Sequence, residues 1–146
     1  MLVPARNASL NKITIFTDAA WRKESKSAGL SWILKKQDPE SSSPFSAVCE
    51  FVSSPLLAEC LAIRAAFSEA LRAKFSSVVL HSDCQVLVKT IKSKSTVSEA
   101  HGVLSDIYLY IEQFTSFVCC FIPRRENLEA DSLAKAALTS FVTLSV

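Results

Sequence analysis

Lys12-Ile13-Thr14-Ile15-Phe16-Thr17-Asp18 is the stretch on which the reading of this chain turns. β-Branched and aromatic side chains alternate there with the period of two that marks a strand. The run closes on an aspartate, a residue type depleted in strands. Residues 28–36 alternate as well, with Leu30, Trp32 and Leu34 on one face. A Ser- and Pro-rich loop over 37–44 then leads to a third strand near 45–52. Connections this short predict an antiparallel meander.

Downstream the period changes. Pro55 suits the first turn of a helix capped by Ser53 or Ser54 and running to about Lys74, with Leu56, Cys60, Ile63, Phe67 and Leu71 as its apolar stripe. A fourth strand is expected over 77–83, followed by a helix capped by Ser82 or Asp83, where Ser82 and Gln85 resemble a capping box. A further helix over 97–114, a fifth strand over 115–122 ended by Pro123, and a last helix capped by Asn127 and reaching about Ser140 complete the series. The stripe of that last helix reads Ala130, Ala134, Ala137, Phe141. The order β-β-β-α-β-α-α-β-α predicts an α/β fold: a five-stranded mixed sheet whose first three strands are antiparallel, with helices on both faces.

The composition fits one globular domain. The chain has 146 residues, 49% hydrophobic and 21% charged, and carries a formal net charge of +2. That length suffices for one core without disulfides or structural metal. Residues 1–11 and 141–146 read as tails around a domain spanning 12–140. Two glycines are too few for a glycine-rich phosphate loop. Five cysteines in no metal-ligand spacing read as reduced thiols of an intracellular protein. No stretch is apolar enough for a membrane span.

Four acids stand where packing alone would not put them. Asp18 ends the first strand and Asp83 the fourth; if those strands are parallel neighbours, both acids share one edge of the sheet. Glu59 lies roughly 60° from Leu56 on the first helix, on a flank otherwise made of Ala66 and Ala70. Asp131 begins the last helix near its sheet-facing flank. Each has an ordinary reading by itself: Asp83 as a helix cap, Asp131 as a partner of the helix dipole, Glu59 as a surface residue. As a set they read better as a cluster. Grouped carboxylates repel unless a cation holds them, and hard oxygen ligands favour Mg²⁺ or Mn²⁺, commonly as a pair of ions that drives phosphoryl displacement.

The segments Phe16-Thr-Asp-Ala-Ala-Trp21, Ala28-Gly-Leu-Ser-Trp32, Ala58-Glu-Cys-Leu-Ala-Ile63, His81-Ser-Asp-Cys-Gln85 and Pro123-Arg-Arg-Glu-Asn-Leu-Glu-Ala-Asp-Ser-Leu-Ala-Lys135 resemble, in order, those of the ribonuclease H type 1 family, in particular its plant retroelement-related branch. The resemblance covers about residues 12–140. It implies that Asp18, Glu59, Asp83 and Asp131 are the catalytic and metal-binding acids, that two Mg²⁺ or Mn²⁺ ions are the cofactor, and that the substrate is the RNA strand of an RNA–DNA hybrid. Gln85 matches a family position that touches the hybrid, where a 2′-hydroxyl separates RNA from DNA. Lys89, Lys92, Arg124 and Arg125 are the candidate phosphate-binding rim.

The chain also departs from the family. Phe121 and Pro123-Arg124-Arg125 stand where its enzymes carry a loop histidine, Pro55 and Leu56 replace polar residues that grip RNA, and no long basic protrusion lies between the third and last helices. These departures keep a second reading open, a nucleic-acid-binding module of retroelement origin with weak or no catalysis. His81 and His101 match no family position and read as structural and surface residues. Trp21 reads as packing in the turn after the first strand. The domain is expected to be monomeric, of a type that often sits in longer polyproteins.

Overall fold

The computed structural model describes residues 11–37 and 41–144, with side chains through 141. Five strands, β1 (Lys12–Arg22), β2 (Ser27–Lys36), β3 (Ser42–Cys49), β4 (Ser77–Ser82) and β5 (Ser116–Phe121), form one sheet in the order β3-β2-β1-β4-β5. β1, β2 and β3 are antiparallel, whereas β4 runs parallel to both β1 and β5. Four helices, α1 (Pro55–Arg72), α2 (Gln85–Lys92), α3 (His101–Glu112) and α4 (Leu128–Leu144), supply the crossovers and the cover that parallel strands require.

The two faces of the sheet are covered differently. On one face, Ile13, Ile15 and Leu80 meet Ile63 and Phe67 of α1 together with Leu104 of α3, all completely or almost completely buried. Phe67 is held edge-to-face by Phe114 at 5.6 Å and Phe117 at 5.5 Å; truncating such a side chain costs about 3–5 kcal/mol. On the other face α4 lies so close to β2 that a Cβ on Gly29 would stand 2.1 Å from the Ala134 carbonyl oxygen. Only glycine allows that approach. Beside it the buried Ser31 hydroxyl donates to the Ala130 carbonyl at 2.6 Å and ties the start of α4 to the sheet.

The expected element order and mixed sheet are present, with local differences. β3 sits three residues earlier than expected, because Phe51 turns to φ 61° and leaves the sheet. α1 is capped by Ser54, whose hydroxyl accepts from the Leu57 amide at 3.1 Å. It buries Ala58, Ala62, Ala66 and Ala70 beside Cys60, Ile63 and Phe67, while Leu56 and Leu71 are only partly buried; the helix is covered on two sides rather than along one stripe. α2 has no side-chain cap, since the Ser82 hydroxyl accepts from the Cys84 amide in the preceding turn. The helix expected over 97–114 divides into a 3₁₀ turn (Ser98–Ala100) and α3. α4 buries Leu138 where Ala137 and Phe141 were expected, and it continues through residues 141–144, which had read as tail. The tail expected at 1–11 lies, except for Asn11, outside the described residues.

Candidate metal centre

β1 and β4 are parallel neighbours in a register that sets Thr17 opposite Ser82. Asp18, expected at the end of the first strand, instead lies within β1, which pairs with β2 as far as Arg22, whereas Asp83 directly follows the end of β4; the two acids still stand side by side on neighbouring strands, about 4.8 Å apart, where β4 stops. The Ser54 cap fixes the start of α1, and its second turn brings Glu59 to that edge. One carboxylate oxygen from each of Asp18, Glu59 and Asp83 lies within 4.8 Å of the others.

Burial sets the charge state of this group. Asp18 is 4% exposed, and desolvation, with the charge of Asp83 next in weight, pushes its pKa up to about 6. Desolvation and then the Asp18 charge push Glu59 up to about 10, and the two carboxyls share a hydrogen bond. With no cation, then, the pair retains a proton. Oε1 of Glu59 is buried without a partner, a state that costs free energy unless something is coordinated there. Three converging hard oxygen donors, two of them pushed above the usual carboxylate range and one oxygen of Glu59 left unsatisfied, fit a divalent cation.

Asp131 stands apart from the three. Its Oδ2 is 3.0 Å from Lys135 Nζ one turn along α4, and its charge makes the smallest of the upward contributions at Asp18. Between Asp131 and the trio lies Asn127, which the sequence reading had taken for a helix cap. Its Oδ1, the atom a cap would use, has no partner. Its Nδ2 donates instead to the Thr17 carbonyl at 2.9 Å and to Asp83 Oδ2 at 3.1 Å. Asn127 is 2% exposed, and it links β1, β4 and the entry to α4 at the acid edge. The available signal was its place one turn before Asp131, which directs a polar side chain to the same edge.

The expected substrate residues lie on α2 and on the 3₁₀ turn Arg124–Glu126. Gln85 opens α2, exposed and two residues past Asp83. Arg124, in the 3₁₀ turn Arg124–Glu126, is close enough to the acids for its charge to lower the Glu59 pKa. Lys89 is exposed on α2, while Lys92 at the end of that helix lines a cavity beside β5. Arg125 lines a different cleft, of about 260 Å³, with Phe16 and Lys35. The histidines and Trp21 take structural places. His81 packs edge-on against Phe16 at 4.8 Å, its Nδ1 is buried without a partner, and burial lowers its pKa. His101 is exposed and within 3.1 Å of the Thr96 hydroxyl. Trp21 Nε1 donates to the Val52 carbonyl at 2.7 Å. All five cysteines are free thiols, and no described helix is long and apolar enough to cross a membrane.

Comparison with known proteins agrees with this arrangement. The sequence profile described as "Reverse transcriptase-like" matches residues 16–137. No curated protein matches the sequence. Among solved structures, RNase H1 from the halophilic archaeon Halobacterium salinarum NRC-1 superposes with a TM-score of 0.82 at 21% identity, over 88% of this chain and 98% of its own. The N-terminal RNase H domain of Rv2228c from Mycobacterium tuberculosis does so at 0.83 with 17% identity, over 92% and 99%. LC11-RNase H1, isolated from compost by a metagenomic approach and solved with an RNA/DNA hybrid, gives 0.78 at 20% identity, over 89% and 99%. The profile match spans most of the chain and includes all four acids, so this protein belongs to the reverse transcriptase-like family and has the ribonuclease H fold.

Proposed function

We propose that this chain is an endonuclease that hydrolyses the RNA strand of RNA–DNA hybrids, with Asp18, Glu59, Asp83 and Asp131 holding two Mg²⁺ or Mn²⁺ ions. The observation that carries the reading is the convergence of Asp18, Glu59 and Asp83, from three separate elements, within 4.8 Å despite their mutual repulsion. The RNA/DNA hybrid in the LC11-RNase H1 structure supports the choice of substrate. When bound, such ions supply a more acidic attacking water and neutralise charge at the leaving oxygen.

The chain's own groups do the rest. Asp18 and Asp83, fixed by strand register, set the position of the centre, and Glu59 closes it from the helix side. Asn127 holds Asp83 through Nδ2. On this reading Gln85 meets the 2′-hydroxyl and Arg124 a backbone phosphate beside the acids. Lys89, Lys92 and Arg125 contribute weaker, long-range attraction for the duplex.

The binding-module reading keeps one specific observation in its favour: neither histidine lies at the acid edge, and Phe121, where the family histidine is expected, is 46% exposed. Cleavage of a labelled RNA–DNA hybrid, with RNA–RNA and DNA–DNA duplexes as controls, separates the two readings. Metal-dependent cutting of the RNA strand, abolished by EDTA and by Asp18→Asn, is the expected result. Hybrid binding without cutting in either metal would establish the binding module instead. Independently, Mg²⁺ is expected to raise the melting temperature, because binding to the folded state alone stabilises it. An unchanged melting temperature at millimolar metal would count against an assembled centre.

A further inference from the structure

The two outer strands of the sheet are built differently. β3 carries Pro44, which removes one backbone donor, and three serines. Proline and polar residues are common means of keeping an edge strand from pairing with other chains. β5, Ser116-Phe-Val-Cys-Cys-Phe121, has no proline, no charge and no bulge. Among the described residues it pairs only with β4, so its outer backbone groups have no strand beside them. Val118 and Phe121 are 49% and 46% exposed.

A cavity of about 700 Å³ runs along this edge. Phe117, Val118, Cys119 and Cys120 all line it. Successive residues of a strand point to opposite faces, so one cavity touches all four only by following the strand's edge. Its far wall is Ile91, Tyr108 and Ile111, with Lys92 and Lys94 at the end of α2 and Glu112 as the single acid. That wall is pre-formed. Lys94 turns the chain at φ 54°, and the Tyr108 hydroxyl donates to the Thr90 carbonyl at 3.1 Å and to the Ser95 carbonyl at 2.6 Å, pinning the turn.

We infer that β5 is a docking edge for an extended acidic and apolar peptide segment of a partner protein, which adds to the sheet as a sixth strand. Backbone hydrogen bonds along β5 give the contact its direction. Alternate apolar side chains enter the cavity between Tyr108, Ile111 and Phe117, and acidic ones meet Lys92 and Lys94. Neither lysine has an ion pair among the described residues. Charge argues against a second copy as the occupant: β5 has no acid to offer, and edge-to-edge pairing would bring the lysines of both copies to one interface.

The test uses a fluorescein-labelled octapeptide of alternating glutamate and valine, read by fluorescence anisotropy, with a lysine–valine octapeptide as control and amide NMR spectra to locate the contact. Saturable binding of the acidic peptide alone is expected, with shifts concentrated at 116–121 and amides of β5 gaining protection from hydrogen exchange. Lys94→Glu is expected to weaken it at least about tenfold by placing like charges together. Val118→Lys, at an exposed position, is expected to do the same by charging the edge while leaving hybrid cleavage unchanged. No binding at millimolar peptide, equal binding of the basic peptide, shifts away from β5, or a dimer formed through β5 would each overturn the proposal. None of these outcomes depends on whether the acid edge cleaves RNA.

Discussion

Asp131 on α4 is near enough to the trio Asp18, Glu59 and Asp83 for its charge to act on Asp18, yet their surroundings oppose each other. The trio is packed from three elements with no cation in salt-bridge range among the described residues, and burial drives the pKa of Asp18 and Glu59 upward. Asp131 has its own lysine one turn away at 3.0 Å and a side chain open to solvent on one flank. Asp18 and Glu59 therefore depend on an added cation to ionise together, whereas Asp131 already has a cationic partner. Under the proposed function the trio would hold the metal, and Asp131 would join it only if its pair with Lys135 opened.

Substitutions test that division directly. The largest effect is expected at the trio: Asp18→Asn should lower hybrid cleavage by at least about a thousandfold, the scale on which loss of one member of an interdependent catalytic group is felt. Equal loss from Asp131→Asn would break the comparison, since this variant is expected to cost only about ten- to a hundredfold. Next comes Asn127→Ala. It removes the donor to Asp83 and to the Thr17 carbonyl and is expected to cost about 1–3 kcal/mol of stability, because a buried carbonyl is left unpaired. Cleavage should fall with it, and higher Mg²⁺ should restore part of the rate if the loss lies in how Asp83 is held. Chemical denaturation in EDTA, paired with a metal titration of the rate, reads both.

The acid pair also predicts a pH dependence for the metal-free protein. Folding raises the Asp18 pKa to about 6 and that of Glu59 to about 10, so above the ordinary carboxylate range the folded chain binds more protons than the unfolded chain. Stability must then fall as pH rises through that window. In EDTA the melting temperature should drop between about pH 5 and about pH 8, and Mg²⁺ should flatten the slope by replacing the proton. A slope unaltered by metal would show that the acids are not its source. The smallest effect is expected from Lys135→Ala. It frees Asp131 from a pair with an exposed lysine, worth about 0–1 kcal/mol, and should change the metal concentration for half-maximal cleavage more than the maximal rate.

What could be read from the chain and what could not follow one physical line. Hydrophobic period identified the strands and helices in order, because a side chain's exposure to one face or another is written in its spacing. An aspartate inside β1, another just past β4 and a glutamate among alanines on α1 stood out because such positions penalise a charge that has no partner. These are local properties, and the sequence alone determined them. The Asn127 link to Thr17 spans 110 residues and the Ser31 link to Ala130 spans 99. The approach of α4 to Gly29, the pairing of Asp131 with Lys135 in place of the trio, the second buried face of α1 and the open edge of β5 are of the same kind. Each depends on which element lies beside which, at what register and depth. Only tertiary packing settles that, because hydrogen bonds and burial between distant segments exist only once the sheet has assembled around its order β3-β2-β1-β4-β5.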